Sequence, residues 1–443
     1  MQKVLLSVLT ISFLFLFSCR KSNYELTHEV SVKDNGSGTG TVTWDTKNTY
    51  ILDGLVFVND GQTLTIEPGT VIRGKTGQGT EASALVVARG GKIIARGTPE
   101  APIIFTVEGD DLEGSVPLEA TGLWGGLIIL GNAPLNASGG EAAVEGIAIS
   151  EPRGVYGGQD PLDNSGILQY VSIRHGGTNI GLENEINGLT LGGVGSETVI
   201  DHVEVISNAD DGIEIFGGTV NLKYIISAFC GDDAFDIDMG YRGKGQYWLA
   251  IQSHDTGNEI LEIDGSPGHL TAQPYTRPEI YNLTGFGKGH DLNGWIATFA
   301  TNAAGIIRNS IFLEQKNGIS LSHYEGQPGS VGQWQQQNLV ISHNSFWEVA
   351  QNSAETIFSV VGENPGNDVL EEWYQSFGQQ SNLVSNPGIW ENEGVYKLFP
   401  DVSEDVFIPE DSWFDAVNYR GAFKDYNWTS GWSLLDKEEI ILN

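Results

Sequence analysis

Three short segments repeat one pattern of carboxylates between apolar residues. Residues 210–215 read DDGIEI, and the pattern returns as DDAFDI 22 positions later and as NEILEI 26 positions beyond that. Successive side chains of a strand point to opposite faces, so each segment places one carboxylate outside while its apolar neighbours lie inside. Glu214, Asp236 and Glu262 are therefore predicted to form an outward column, which we call the acidic column, with neighbours about 4.8 Å apart.

Carboxylates stacked in this way repel each other unless a cation, a basic side chain or a bound ligand offsets their charge. Oxygen ligands in number are what calcium requires. The sequence therefore predicts a possible Ca²⁺ site at the bends and on the column, with these candidate ligands: Asp210, Asp211, Asp232, Asp233, Asp236 and Asp238. Two alternatives stay open, namely that Asp210 and Asp232 make the turns by binding nearby backbone amides and that the column is a solvated acidic face.

Three aromatic residues near the same segments are candidates for stacking on a ligand. Tyr241, Trp248 and Trp295 follow the aspartate-rich bends, and aromatic rings beside a polar groove suit sugar rings. Together with the acidic column they form the predicted ligand-binding set.

The spacing also indicates the fold that must hold these residues. At the 22-residue offset Ile200 aligns with Leu222 and Val203 with Ile225, so a strand and its preceding turn recur together. A repeat of this size is typical of a solenoid whose coils stack on one another. Short alternating strands with glycine or proline bends continue along the chain, and left-handed hexapeptide repeats are absent. We predict an all-β, single-stranded, right-handed parallel β-helix.

The N-terminus resembles the signal peptide of a bacterial lipoprotein. A short basic start and an apolar run over residues 4–17 precede Ser18 and Cys19. Cleavage before Cys19 and acylation of that cysteine would anchor the chain to the outer membrane, on either its periplasmic or its outer face. The predicted divisions are a signal peptide at 1–18, a flexible tether at 19–40, a β-helix at 41–351 and an irregular, acidic, aromatic C-terminal cap region at 352–443.

Net charge limits the possible partners. The formal charge is −34, with a pI near 4.4, which argues against nucleic acid and makes cations natural counter-charges. With Cys19 lipidated, only Cys230 remains, so no disulfide is expected. The expected partners are outer-membrane lipid through Cys19, a glycan or another envelope or extracellular ligand, and an outer-membrane transporter or complex.

Several motifs support a family resemblance. TLTIEPGTVI at 63–72, GLWGG at 122–126, YVSIRHGG at 170–177 and the pair Trp428 and Trp432 occur in this order. With the aspartate-rich bends they resemble the pectin-lyase-like superfamily of right-handed β-helices, and within it a group of outer-membrane β-helix proteins of Gram-negative bacteria. That superfamily includes lyases, glycoside hydrolases, esterases, adhesins and binding proteins, so the resemblance implies a fold more than an activity.

The resemblance also implies two enzymatic alternatives. Asp210, Asp232 and Asp233 resemble the carboxylates of polygalacturonase-type hydrolases, but the histidine motif at His290 lies 57 residues past Asp233, more than two coils on.

A lyase would need a cation and a basic residue to remove a proton, for which Arg242 and Lys244 are the candidates. We expect a glycan-binding protein rather than an enzyme. A polysaccharide lyase or hydrolase on the same face, and a structural, adhesin-like or outer-membrane accessory protein, are the alternatives.

Overall fold

The computed structural model describes residues 28–181, 184–266, 269–401 and 404–442. The predicted signal peptide at 1–18 and the predicted lipidation site, Cys19, lie outside these residues. In the part of the chain that is described, no helix has the length and apolarity that crossing a membrane requires.

The strands and helices are given in chain order. The first strands are β1 His28–Val32, β2 Val42–Trp44, β3 Asn48–Leu52, β4 Leu55–Val58, β5 Thr63–Ile66, β6 Val71–Gly74, β7 Ala84–Val87, β8 Lys92–Arg96, β9 Ile103–Val107, β10 Leu127–Leu130, β11 Ala142–Ala143, β12 Val155–Tyr156, β13 Gly166–Arg174, β14 Asn179–Gly181, β15 Asn184–Glu185 and β16 Leu189–Gly192. The central strands are β17 Val199–Ile206, β18 Ile213–Phe216, β19 Asn221–Ala228, β20 Phe235–Asp238, β21 Lys244–Ile251, β22 Glu259–Ile263, β23 Glu279–Gly289, β24 Trp295–Phe299, β25 Gly305–Arg308, β26 Ile311–Gln315 and β27 Asn317–His323. The last elements are α1 Ser330–Gln335, β28 Leu339–Ser342, β29 Ser345–Val349, α2 Ala354–Ile357, β30 Phe358–Gly362, α3 Asn367–Gln379, β31 Leu383–Val384, β32 Trp390–Asn392, β33 Val395–Lys397, α4 Leu434–Lys437 and β34 Ile441–Leu442.

Two parallel sheets form the walls of the coil. The first sheet contains the long strands β13, β17, β19, β21 and β23, each paired in parallel with the next. The second sheet runs in the order β4, β7, β10, β16, β18, β20, β22, β24, β27, β30 and carries the acidic column. Chain order and spatial order agree along this sheet, as expected when each coil stacks on the one before it. The predicted parallel β-helix is confirmed.

The core lies between the sheets and is apolar along the whole coil. Ile213, Ile215, Phe235 and Ile237 are each 0 % exposed and belong to one continuous cluster with residues of the first sheet. Because these inward residues alternate with the column, the apolar half of the sequence pattern positions the carboxylates on the outer face of the second sheet.

The fold begins earlier than predicted. Strand β1, at His28–Val32, pairs in parallel with β3, His28 opposite Asn48 and Val32 opposite Leu52. The prediction of a tether that reaches residue 40 is therefore wrong for this segment. The reason is that β1 covers the first coil edge, where unpaired backbone groups would otherwise be exposed.

The C-terminal region differs from the predicted cap in two ways. The coil continues past residue 351, because β30 extends the second sheet beside β27 and β31 pairs with β29. Within the region α3 buries Trp373 and Phe377 in the main core.

The remaining C-terminal tail runs back along the first sheet instead of covering the end. Arg420 donates to the Asn344 backbone oxygen at 2.8 Å, whereas Lys437, farther along the tail, donates to the Leu112 backbone oxygen, many coils earlier. Trp428 and Trp432 are buried against the outer face of the first sheet. The tail covers apolar side chains that this face would otherwise expose, and that burial favours the lateral course over a cap.

Candidate functional site

The acidic column forms as predicted, with its three members in direct register. Glu214 is paired with Asp236, and Asp236 with Glu262, on the neighbouring strands β18, β20 and β22. The column is only partly solvated, however, because Asp236 and Glu262 are half-buried. Glu214 is only 6 % exposed, and charged groups this poorly hydrated need a compensating partner.

A long insertion, residues 132–163, explains this burial. Its strands β11 and β12 pair with each other, and its apolar residues pack on the outer face of the second sheet in the coils before the column. Tyr156, from the insertion, lies close enough to Asp238 and Glu214 that burial and these two charges raise the pKa of its phenol. The Asn136 side chain donates to the Pro274 backbone oxygen at 3.2 Å, which joins the insertion to the loop that precedes β23. The acidic face is thus walled by both segments.

The bend aspartates divide into two roles. Asp211 Oδ1 accepts the backbone N–H of Asp233 at 2.9 Å, and Asp233 Oδ1 accepts that of Glu259 at 2.6 Å. Each bond joins one coil to the next, so these two residues explain why the bends stack. Asp210 and Asp232 sit beside them, half-buried and exposed respectively. The sequence suggested a turn-making role for Asp210 and Asp232, whereas in the structure Asp211 and Asp233 make these bonds, across coils rather than within one turn.

Two groups of three carboxylates have the geometry of cation sites. Asp210, Asp211 and Asp232 form one group, and Asp211, Glu214 and Asp236 form the other, with one oxygen from each residue within 4.8 Å of the others. Asp211 belongs to both. Four of the six predicted metal ligands are brought together, and Glu214 joins them.

The other two predicted ligands belong to neither group. Asp233 uses Oδ1 to hold the Glu259 backbone, and Asp238 stands at the far end of β20, where the charges of Asp236 and Asp264 help burial to raise its pKa.

Several buried oxygens of this face have no hydrogen-bond donor. Among the described residues, these atoms are Asn187 Oδ1, Asp236 Oδ1, Asp238 Oδ1, Glu259 Oε2 and Asp264 Oδ1. Asn187 is 2 % exposed and Glu259 is 6 % exposed. Leaving such an acceptor unmet costs about 1–3 kcal/mol. A cation bound at the face would coordinate oxygens of this kind and remove that cost.

Burial and mutual repulsion raise the pKa of the carboxyls on this face. Burial, followed by the charge of Glu262, raises the pKa of Asp236 to about 8. Burial also raises the pKa of Glu259 to about 8 and that of Asp264 to about 6. Burial is also the main reason that the pKa is raised in four other carboxyls of this face: Asp211, Glu214, Asp233 and Asp238. Without a cation, Asp236 and Glu259 therefore hold protons near neutral pH.

Sequence reasoning missed the basic residue of this site. Lys288, near the end of β23, donates from Nζ to the backbone oxygen of Gly257. Burial lowers the pKa of its amine, and the charges of Asp232 and Asp233 oppose that change. Lys288 follows Gly257 by 31 residues and lies at the same bend, one coil later. Counting coils from the aspartates would therefore have found it.

The predicted bases Arg242 and Lys244 are wrong for this site. Both follow β20, whereas Asp232 and Asp233 precede it, so the strand separates the two pairs. Lys244 forms an ion pair with Asp411 of the C-terminal tail.

The three predicted aromatic residues lie in different environments. Tyr241 and Trp248 are 0 % exposed, and their polar atoms donate to the backbone oxygens of Val220 and Leu222. Both are core residues, so their predicted role in ligand binding is wrong. Trp295 is half-buried at the start of β24 and is paired with Glu259. It therefore remains a candidate for contact with a ligand.

Comparison with known proteins gives one match. A family model described as a pectate-lyase-like beta helix domain matches residues 36–381, a span that includes the acidic column, both carboxylate groups and Lys288. Neither the curated proteins nor the solved structures contain a significant match.

Proposed function

The chain belongs to the pectate-lyase-like β-helix family, and we propose that it binds an acidic glycan through calcium ions held at the outer face of the second sheet. The observation that carries the proposal is the pair of carboxylate groups that share Asp211. Calcium takes six to eight oxygen ligands, and carboxylates, amide oxygens and ligand oxygens all suit it. The glycan would complete the coordination that the protein leaves open.

The unmet oxygens support a cation in particular. A basic side chain could neutralise the column. Lys288 is the basic residue that the structure brings near Asp232 and Asp233. Its Nζ, however, donates to the backbone oxygen of Gly257 at the bend. Asn187 donates its amide N–H to Glu214 and leaves Oδ1 buried and unmet beside the column. An amide oxygen next to carboxylates is a common calcium ligand.

Net charge supports the proposed role of calcium in glycan binding. A chain with formal charge −34 repels a polyuronate. Divalent ions between the protein carboxylates and the glycan carboxylates convert that repulsion into attraction. Trp295, beside Glu259, would contribute a ring to the sugar.

The test is calorimetric titration of oligogalacturonate with calcium and with excess EDTA. Wild type should show a calcium-dependent binding event that EDTA abolishes, and Asp211→Asn combined with Asp236→Asn should lose that event. Asp368→Asn, an exposed aspartate on α3, is the matched control and should bind as wild type does. Equal binding in EDTA, or unchanged binding by the double variant, would contradict the proposal.

A second candidate function, uronate elimination, is favoured by Lys288. Elimination needs a cation on the uronate carboxylate and a neutral amine to remove the neighbouring proton while the glycosidic C–O bond breaks. The lowered pKa of Lys288 and its place beside Asp232 fit that need. Binding remains the first proposal because the Nζ of Lys288 is engaged with Gly257.

We also propose an outer-membrane location through an acylated Cys19, from the apolar run and the cysteine that follows it. A protein held at the membrane by lipid could present its acidic face to glycan of the envelope or its surroundings. An outer-membrane transporter or complex is a compatible partner.

A further inference from the structure

A second polar cleft lies at the C-terminal end of the coils, away from the acidic face. It has a volume of about 340 Å³ and lies between the end of α1, one side of α3 and strand β28. Its walls carry glutamine side chains from both helices, including Gln335 and Gln379, and the rings of Trp334 and Trp373. This volume is at the lower end of the range for small-ligand sites.

Two buried donors that contribute to this cleft have no acceptor. Trp373 is 3 % exposed, and its indole Nε1 has no hydrogen-bond partner among the described residues. The same holds for Nε of Arg308. An unmet buried donor costs about 1–3 kcal/mol, so a ligand that supplies acceptor oxygens here would recover that cost.

The charge of Arg308 is also uncompensated by any ion pair in the described part of the chain. Its guanidinium lies 3.6 Å from the centre of the Phe407 ring, and one terminal nitrogen donates to the Tyr281 hydroxyl at 3.3 Å. Phe407 and Tyr281 thus hold the guanidinium in place without neutralising it. Arginine in such a position suits a carboxylate, which its planar donors match.

We propose that this cleft binds a short saccharide that carries a carboxylate. The carboxylate accepts from the Arg308 guanidinium, and the sugar hydroxyls exchange hydrogen bonds with the glutamines, whose amides both donate and accept. Trp334, which is half-buried, offers apolar ring surface to the sugar. The cleft thereby recognises a chain end or a one- to two-sugar fragment, whereas the acidic face is long enough for a polymer.

The cleft and the acidic face differ in their need for cations. Of the residues known to line the cleft, Glu372 is the one carboxylate, so this site has no cluster of oxygen ligands for calcium. Binding at the cleft therefore persists in EDTA, while the calcium-dependent binding proposed above is lost. Each proposal can fail without the other.

The experiment is calorimetric titration of digalacturonate and of its neutral counterpart, galactobiose, in excess EDTA. Wild type should bind digalacturonate more tightly than galactobiose. Arg308→Gln should weaken digalacturonate binding about tenfold, as should Gln335→Ala combined with Gln379→Ala, through lost charge-assisted and neutral hydrogen bonds. Both glutamines are exposed, so that double variant is expected to fold. Gln351→Ala, an exposed glutamine outside the cleft, is the matched control.

Three results would overturn the proposal: no binding of digalacturonate at millimolar concentration in EDTA, binding that the glutamine double variant leaves unchanged, and equal affinity for the neutral disaccharide. Trp373→Phe tests the cleft independently, because it removes the indole N–H but keeps an aromatic ring in the core. It should weaken binding several-fold with the coil still folded by circular dichroism, and an unchanged affinity would also count against the site.

Discussion

Glu214 and Asp236 face each other on adjacent strands of one sheet, and Asp211 lies near enough to both that the three carboxylates can share a single ion. Like charges opposite each other on neighbouring strands destabilise a sheet. The protein buries Glu214 beside an insertion, where water compensates its charge poorly. A bound cation or shared protons must therefore stabilise this part of the coil.

Calcium should raise the melting temperature of the protein, because an ion that binds only the folded state stabilises it by mass action. The rise should disappear when Asp211→Asn and Asp236→Asn are combined, since this removes one ligand common to both groups and one from the column. Differential scanning fluorimetry with increasing calcium measures this. Asp368→Asn should keep the full rise, and a rise retained by the double variant would place the ion elsewhere.

Without calcium, stability should fall as pH rises from about 5 to about 8. A carboxyl with a higher pKa in the folded state holds its proton more tightly there. This tighter proton binding contributes fully to the stability of the folded protein below the pKa of the unfolded state, near 4. The contribution is lost as pH approaches the pKa of the folded state. For Asp236 and Glu259 that value is about 8.

Melting temperatures in EDTA across this pH range test the effect. The variant Asp236→Asn with Glu259→Gln should show a flatter profile than wild type, because neither replacement side chain titrates. Identical slopes for the two proteins would show that these carboxyls do not titrate in this range.

No turnover of uronates, pectins or neutral glycans is expected above a heat-killed control. Reducing-end release detects hydrolysis, and ultraviolet absorbance of an unsaturated product detects elimination. Elimination that Lys288→Ala abolishes and the exposed-lysine control Lys316→Ala retains would make the lyase the correct function.

Replacing Glu204 with alanine should release the C-terminal tail from the first sheet. Both carboxylate oxygens of Glu204 accept the backbone N–H of Leu434, at 2.8 and 3.1 Å, and Arg174 lies 3.9 Å away. Removing a buried carboxylate of this kind costs about 3 kcal/mol. Limited proteolysis should then cleave the tail while the coil stays intact. Glu439→Gln, on the exposed side of the tail, should behave as wild type, and equal resistance of all three proteins would argue against this attachment.

Metabolic labelling with a fatty-acid probe should mark the wild-type chain and not Cys19→Ala. The expectation follows from the apolar run that ends before Cys19. Equal labelling of both proteins would exclude lipidation at this position.

The sequence alone determined the coil and the register of the acidic column. A 22-residue repeat stacks Glu214 on Asp236 whatever else surrounds them, and strand parity places both carboxylates on the face opposite the core. These are properties of neighbouring residues and of a regular period, which can be read without knowing how distant segments meet.

Only the tertiary structure decided what surrounds that column. Residues 132–163 fold over the second sheet, Lys288 rather than Arg242 reaches the aspartate bends, and Tyr241 and Trp248 turn into the core. The tail runs back along the first sheet because apolar surface there is available to bury. Such contacts join segments far apart in the chain, and their geometry depends on the packing of the whole coil. Local periodicity does not encode it.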